Sequence, residues 1–233
     1  MLELNQVYNM DCMTGMADIP DNYFDLAIVD PPYGIGLAKK GGASLRGVNN
    51  NRSTENTKGK IWDAQIPPEK YFTELQRVSR HQIVWGYNYF CNILGQCKGV
   101  VVWDKVVSVP NFSAVELAYT TYDTPARLFK FAWNGLRQGY THGEGKHNIK
   151  EKREARIHPA QKPVALYKWL LHNYAKPGDK ILDTHVGSGS SIIACIDKGF
   201  DYMGFEIDAD YYAAMQERIY HFTRQTSLID GTT

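Results

Sequence analysis

The chain has 233 residues, 43% of them hydrophobic and 22% charged, with 26 basic against 25 acidic side chains. These fractions suit a globular domain with a sizeable core and exclude a disordered or fibrous chain. No apolar run is long enough to span a bilayer, the N-terminus lacks a signal-peptide pattern, and a net charge of +1 leaves local patches to attract any polyanion.

In chain order, β-rich runs alternate with amphipathic stretches. This predicts an α/β fold, a mostly parallel seven-stranded sheet with helices on both faces. The first predicted strand, 6–9, is followed by Asp11 and Cys12. The second, 25–29, delivers Asp30, Pro31, Pro32 and Tyr33. A proline pair ends a strand and Asp-Pro is ordinary turn chemistry, yet a carboxylate beside so rigid a backbone also suits positioning a reactant. Residues 34–62 follow, rich in glycine, with Lys39, Lys40, Arg46, Arg52, Lys58 and Lys60 against Glu55. Such a segment is too polar to bury a surface of its own and is expected to be mobile without a partner.

A helix is predicted over 68–79, then strands over 82–86, 99–103 and 127–133. Residues 135–157 form a second basic stretch, with Arg137, Lys146, Lys150, Lys152, Arg153 and Arg156 against Glu144, Glu151 and Glu154. Two such stretches flanking one site point to a polyanion. "HPAQKP" (158–163) opens a helix predicted over 163–175. Lys162 and that helix start suit the carboxylate of a ligand. Strand 180–184, a glycine turn, helix 190–198, strand 201–207 and helix 209–222 complete the chain. There is no internal repeat, so 1–233 reads as one catalytic domain. The scattered Cys12, Cys91, Cys97 and Cys195 form no CxxC pair, which argues against a zinc site and predicts a reducing, cytoplasmic setting.

The glycine turn reads as a nucleoside pocket. Gly187 and Gly189 allow close backbone approach, and Glu206 ends the next strand 23 residues after Asp183, where an acid accepts from both hydroxyls of a ribose. Ser190, Ser191 and Ile192 stand where a dinucleotide site places its third glycine, and no Walker lysine follows. An acid four positions before Gly187 suits a ligand without phosphates, and S-adenosylmethionine fits.

"DPPY" (30–33), "HPAQKP" (158–163) and "DTHVGSGS" (183–190), in that order, resemble the amino-group DNA methyltransferases. The order, catalytic motif before cofactor motif, is that of the β class of N6-adenine enzymes. Nearly the whole chain takes part, including Asn9 to Cys12, "WGYNYF" (85–90) and "WDK" (103–105). The resemblance implies a circularly permuted, Rossmann-like methyltransferase fold, S-adenosyl-L-methionine as cofactor, no metal, and DNA as partner. It implies catalytic roles for Asp30, Pro31, Pro32 and Tyr33. Cofactor contacts fall to Asp11, Cys12, Asp30, His158, Pro159, Ala160, Lys162, Asp183, His185, Gly187, Ser188, Gly189, Ser190, Glu206 and Ile207. DNA contacts fall to Lys39, Lys40, Arg46, Arg52, Arg137, Lys146, Lys150 and Arg153. Two departures stand out. Ala160 replaces the family's usual threonine, and Asp183-Thr184-His185 replaces Asp-Pro-Phe, so His185 reads as a packing residue. Family members can dimerise or accompany a restriction endonuclease, but the sequence carries no signature of either.

Rival chemistries leave different marks. Cytosine C5 enzymes need a cysteine nucleophile, usually after proline, and no Pro-Cys occurs here. Protein-glutamine enzymes use Asn-Pro-Pro-Tyr. N4-cytosine enzymes more typically carry serine at the position of Asp30 and form the alternative reading. An inactive nucleic-acid-binding module is opposed by the intact Asp30, Tyr33, Asp183, Gly187, Gly189 and Glu206.

Overall fold

A computed structural model describes residues 2–36, 63–106, 113–133, 138–139, 141–142, 146–147 and 154–229; for 141–142, 146–147 and 226–229 it describes the backbone alone. The elements are β1 (Gln6–Tyr8), α1 (Cys12–Ala17), β2 (Phe24–Val29), α2 (Glu69–Val78), β3 (Ser79–Trp85), α3 (Tyr87–Leu94), β4 (Val101–Asp104), β5 (Val115–Thr120) and β6 (Arg127–Lys130). The short strands β7 (Ala132–Trp133), β8 (Gln138–Gly139), β9 (Thr141–His142) and β10 (Lys146–His147) follow. Then come α4 (Val164–Tyr174), β11 (Lys180–Asp183), α5 (Ser190–Lys198), β12 (Asp201–Phe205) and α6 (Ala209–Ile229).

Among the described residues the central sheet has eight strands, in the order β1-β12-β11-β2-β3-β5-β4-β6. From β1 to β3 every neighbour is parallel, and β5 runs antiparallel to both β3 and β4. The sequence reading of seven strands missed β5. It also drew 127–133 as one strand, which the structure divides. Phe131 N–H bonds to the Asp104 carbonyl at 3.0 Å and Trp133 N–H to the Lys105 carbonyl at 3.4 Å, but β4 ends at Asp104, and Ala132 and Trp133 also pair with β8.

Alternation along β2 explains why the sheet is covered twice. Leu26 and Ile28 belong to a core with α4 and α5, whereas Ala27 and Val29 belong to one with α1 and α2. A strand buried on both faces reads as a continuous apolar run, as 26–29 does. From β2 the chain moves towards β3, and from β11 it moves towards β12. The order therefore reverses between β2 and β11, where α/β sheets open a crevice beyond the carboxyl ends of their strands. Asp11, Glu206, Asp183 and Asp30 stand at or just beyond the ends of the adjacent β1, β12, β11 and β2.

Lys39, Lys40, Arg46, Arg52, Arg137, Lys150 and Arg153 lie outside the described residues, as does the side chain of Lys146. Asp63 ties the start of the first basic stretch to its far end: its Oδ1 accepts from Gly34 N at 2.9 Å, and its carbonyl accepts from Gly36 N at 3.0 Å.

Candidate active site

Two sub-sites share the crevice. The first is a shallow cleft at the ends of β1, β11 and β12, lined by Met10, Asp11, Cys12, Thr184, His185, Phe205, Glu206 and Ile207. Each acid has a second task there. Asp11 caps α1, its Oδ1 accepting from Thr14 N at 3.0 Å. Glu206 Oε2 accepts from Gly187 N at 2.8 Å, and its Oε1 accepts from Asp208 N at 2.8 Å. These backbone donors orient a carboxylate that is 9% exposed, beside an Ile207 that is 64% exposed. An acid set against an apolar wall suits the sugar and base of a nucleoside. Burial, followed by Asp11, pushes the Cys12 thiol up to about 12, so it is no nucleophile. Burial holds His185 neutral, down to about 4, and its ring meets Tyr71 edge-on.

Asp183 lies behind the glycine turn rather than among the lining side chains. Its Oδ1 accepts from His185 N at 2.9 Å and its Oδ2 from Ser191 Oγ at 2.5 Å. Burial raises its carboxyl to about 7, only partly offset by these donors. Gly189 turns with φ +78°, and a Cβ there would stand 2.7 Å from Met215 Cγ. From α6, Arg218 bonds to the Ser188 carbonyl at 2.7 Å, to Ser190 Oγ at 3.0 Å and to Glu154 at 2.7 Å. Arg218 clamps the turn and was not singled out from sequence, where it is one basic residue on an amphipathic helix. His158 stands beside Gly187 and meets Tyr211 edge-on, with Ala160 N donating to its Nδ1 at 3.2 Å. Arg156 donates to the Pro159 carbonyl at 3.0 Å.

The second sub-site lies at the end of β2. The Tyr33 hydroxyl donates to Asp30 Oδ1 at 2.5 Å, and Lys162 Nζ meets Asp30 Oδ2 at 2.5 Å. Lys162 also reaches Tyr33 Oη at 3.1 Å and Glu116 Oε2 at 3.0 Å, while Lys105 holds the other oxygen of Glu116. Sequence reasoning gave Lys162 to a ligand's carboxylate; the structure places its ammonium, 3% exposed, on Asp30 and Glu116. Burial favours the neutral amine of Lys162, but these two carboxylates outweigh it and raise its pKa. Glu116 carried no motif and was missed, and Lys105, within "WDK" (103–105), was given no role of its own. Tyr33 stacks on Tyr89 with ring centres 4.9 Å apart and meets Phe90 edge-on. Gly86, with φ +82°, packs against that ring, and a Cβ there would stand 2.3 Å from Tyr33 Cε1.

The mostly parallel sheet thus carries an acid-lined cleft beside a lysine-paired carboxylate, both at the carboxyl ends of its strands. The N6/N4 methylase family model, described as DNA methylase, matches residues 87–217, more than half of the chain. The chain belongs to this DNA methylase family. The matched stretch contains the glycine turn and Glu206 but not Asp30 to Tyr33. Type II methyltransferase M.HinfI of Haemophilus influenzae is 25% identical over 248 aligned residues, covering 93% of this chain and 68% of M.HinfI. Among solved structures, the M1.HpyAVI–SAM complex superposes with TM-score 0.58 at 17% identity, over 91% of this chain and 98% of that one. The cytosine-N4-specific PvuII DNA methyltransferase gives TM-score 0.58 at 12% identity, over 97% and 93%. Among the described residues no helix is long and apolar enough to cross a membrane, and no side-chain cluster could hold a metal ion.

Proposed function

We propose that the chain is a β-class DNA methyltransferase that moves the methyl group of S-adenosylmethionine to the N6 amino group of an adenine turned out of the duplex. The observation that carries this reading is the adjacency of β2 and β11, which sets Asp30 next to the nucleoside cleft. The cleft's residues fit the cofactor: Glu206 would receive the ribose hydroxyls, with Ile207 and Met10 against the base. When bound, the cofactor supplies an electrophilic methyl group on a sulfonium.

The protein's own part concerns the amino group. Its nitrogen is a poor nucleophile because the lone pair is delocalised into the base. Asp30 accepts one N–H and the Pro31 carbonyl, fixed by consecutive prolines, accepts the other. Held in this way, the nitrogen becomes pyramidal, and the contacts strengthen as the bond to carbon forms. Asp30 is then the adjacent base for the proton that nitrogen must lose. A stacked base hides its faces, so the target leaves the helix at a cost of a few kcal/mol. Tyr33 offsets part of that by stacking. Since Tyr89 covers one face of Tyr33, the base takes the other face or displaces Tyr89, which is 43% exposed.

Asp30 favours adenine over cytosine as target, and N4 of cytosine is the alternative, the reaction of the PvuII enzyme whose fold is similar. Nucleoside mass spectrometry of treated DNA is expected to show N6-methyladenine; N4-methylcytosine would overturn the assignment. A homodimer, a companion endonuclease and a cytoplasmic setting are consistent with this reading, as are DNA contacts by the two basic stretches.

For the cofactor, Glu206→Ala is expected to weaken S-adenosylmethionine binding by about 1–3 kcal/mol, because two hydroxyls lose a charged acceptor and Gly187 loses its brace. Titration calorimetry checks this, and unchanged affinity removes Glu206 from the site.

A further inference from the structure

The catalytic carboxylate does not have its lysine to itself. One buried ammonium, Lys162 Nζ, touches Asp30 Oδ2 at 2.5 Å and Glu116 Oε2 at 3.0 Å. Glu116 comes from the antiparallel β5 and has a second cation, Lys105, on its other oxygen. Two carboxylates and two lysines thus form a row, Asp30–Lys162–Glu116–Lys105, neutral in total, with Asp30 at the end nearest the nucleoside cleft.

We propose that Glu116 is a positioning residue: it shares Lys162 with Asp30 and thereby sets how readily Asp30 takes up a proton. A carboxylate alone with a buried lysine is firmly ionised and a weak base. One that divides the lysine with a second carboxylate keeps its shape and its hydrogen bonds but binds a proton more readily. Both acids contact the same nitrogen, so they lie within the roughly 4–6 Å over which one charge shifts another.

The charge balance agrees. Burial opposes ionisation of Glu116, but Lys162 and Lys105 outweigh it and hold its carboxyl down at about 2. Asp30 is raised, by burial first, with Lys162 pulling it down and Glu116 pushing it up. The other groups facing Asp30 are Tyr33, which donates to it, and Tyr71, Tyr167 and Asp183, which feel its field from α2, α4 and β11. Burial raises all three tyrosines, so they stay neutral at working pH.

The two ends of the Glu116 contact predict opposite signs. Glu116→Gln removes the competing charge and returns Lys162 to Asp30, so Asp30 should titrate about one pH unit lower. Lys105→Met leaves Glu116 with Lys162 alone, so Asp30 should titrate higher. Neither residue touches Asp30, and both are partly exposed, at 21% and 19% for their side chains. The experiment is carboxyl carbon NMR of aspartate-labelled protein, with Asp30→Asn to assign the resonance. Alongside it runs the pH dependence of single-turnover methyl transfer to unmethylated genomic DNA.

Opposite displacements of the Asp30 titration uphold the proposal. No displacement, or displacement in one direction for both variants, overturns it. If Glu116→Gln does not fold, Lys105→Met alone decides by the sign of its shift. The inference rests on Asp30 acting at the amino group, and the two measurements separate the ideas. An acid limb of the rate that stays fixed while the resonance moves would uphold the charge sharing and overturn the amino-group reading.

Discussion

Asp30→Ala is expected to lower single-turnover methyl transfer by about 10³-fold or more while S-adenosylmethionine affinity changes little. The estimate follows from losing an acceptor whose contact strengthens in the transition state, a class of contact worth about 10²–10³-fold by itself. The adjacent base goes with it. The affinity should persist because the cleft is lined from β1, β11 and β12, not by Asp30. Truncation also leaves Lys162 with one carboxylate instead of two, so a buried ammonium loses part of its compensation and stability falls. Asp30→Asn is therefore the companion variant. It retains an acceptor for the Tyr33 hydroxyl but cannot take the proton. Rapid quench with labelled cofactor reads the chemistry, and calorimetry reads the affinity. A folded Asp30→Ala protein that transfers methyl at near-normal rate would remove Asp30 from the mechanism.

Much of this site is legible in the chain because its motifs are local. A strand that ends in Asp30, Pro31 and Pro32 announces a rigid carboxylate, and Gly187, Gly189 and Glu206 announce a turn and an acid at nucleoside spacing. The sheet then brings these motifs together, since parallel strands end on one edge whatever their order in sequence. The antiparallel part was harder. "VELAYT" (115–120) does alternate, but it is half-exposed on β5, lies between two stronger runs and carries a glutamate as its second residue. That glutamate is Glu116, and its charge is compensated by Lys105, which follows the neighbouring β4, and by Lys162, which arrives from 46 residues further on. Charge pairs of that kind leave no periodic trace. Two short helices escaped for another reason. α1 spans six residues including a glycine, and α3 follows a left-handed Gly86 and is rich in aromatics, so neither shows a long apolar face.

Gly86→Ala should be as damaging as a change within the catalytic motif, although residue 86 touches no reactant. The added Cβ would stand 2.3 Å from Cε1 of Tyr33, well inside contact distance. The backbone cannot easily yield, because Gly86 N donates to the Leu117 carbonyl at 2.9 Å and its own carbonyl accepts from Tyr89 N at 2.8 Å. Nor can the ring move freely: its hydroxyl is held by Asp30 and Lys162, and its face lies against Tyr89. At φ +82° an alanine is strained even with space around it, at about 1–2 kcal/mol. Crowding in a packed environment adds about 1–3 kcal/mol. The expected outcome is a folded but less stable protein, its thermal midpoint lowered by several degrees. Methyl transfer should fall by about 10²-fold, the scale of loss when a reacting geometry is displaced by about 1 Å. Cofactor affinity should stay near that of the unaltered chain, because the cleft lies across β2 and β11 from Gly86. Tyr33→Phe serves as the control: it removes the hydroxyl but leaves the ring in place. If Gly86→Ala transfers methyl groups as fast as the unaltered protein, then the stacked arrangement of Tyr33, Tyr89 and Gly86 has no part in holding the target base.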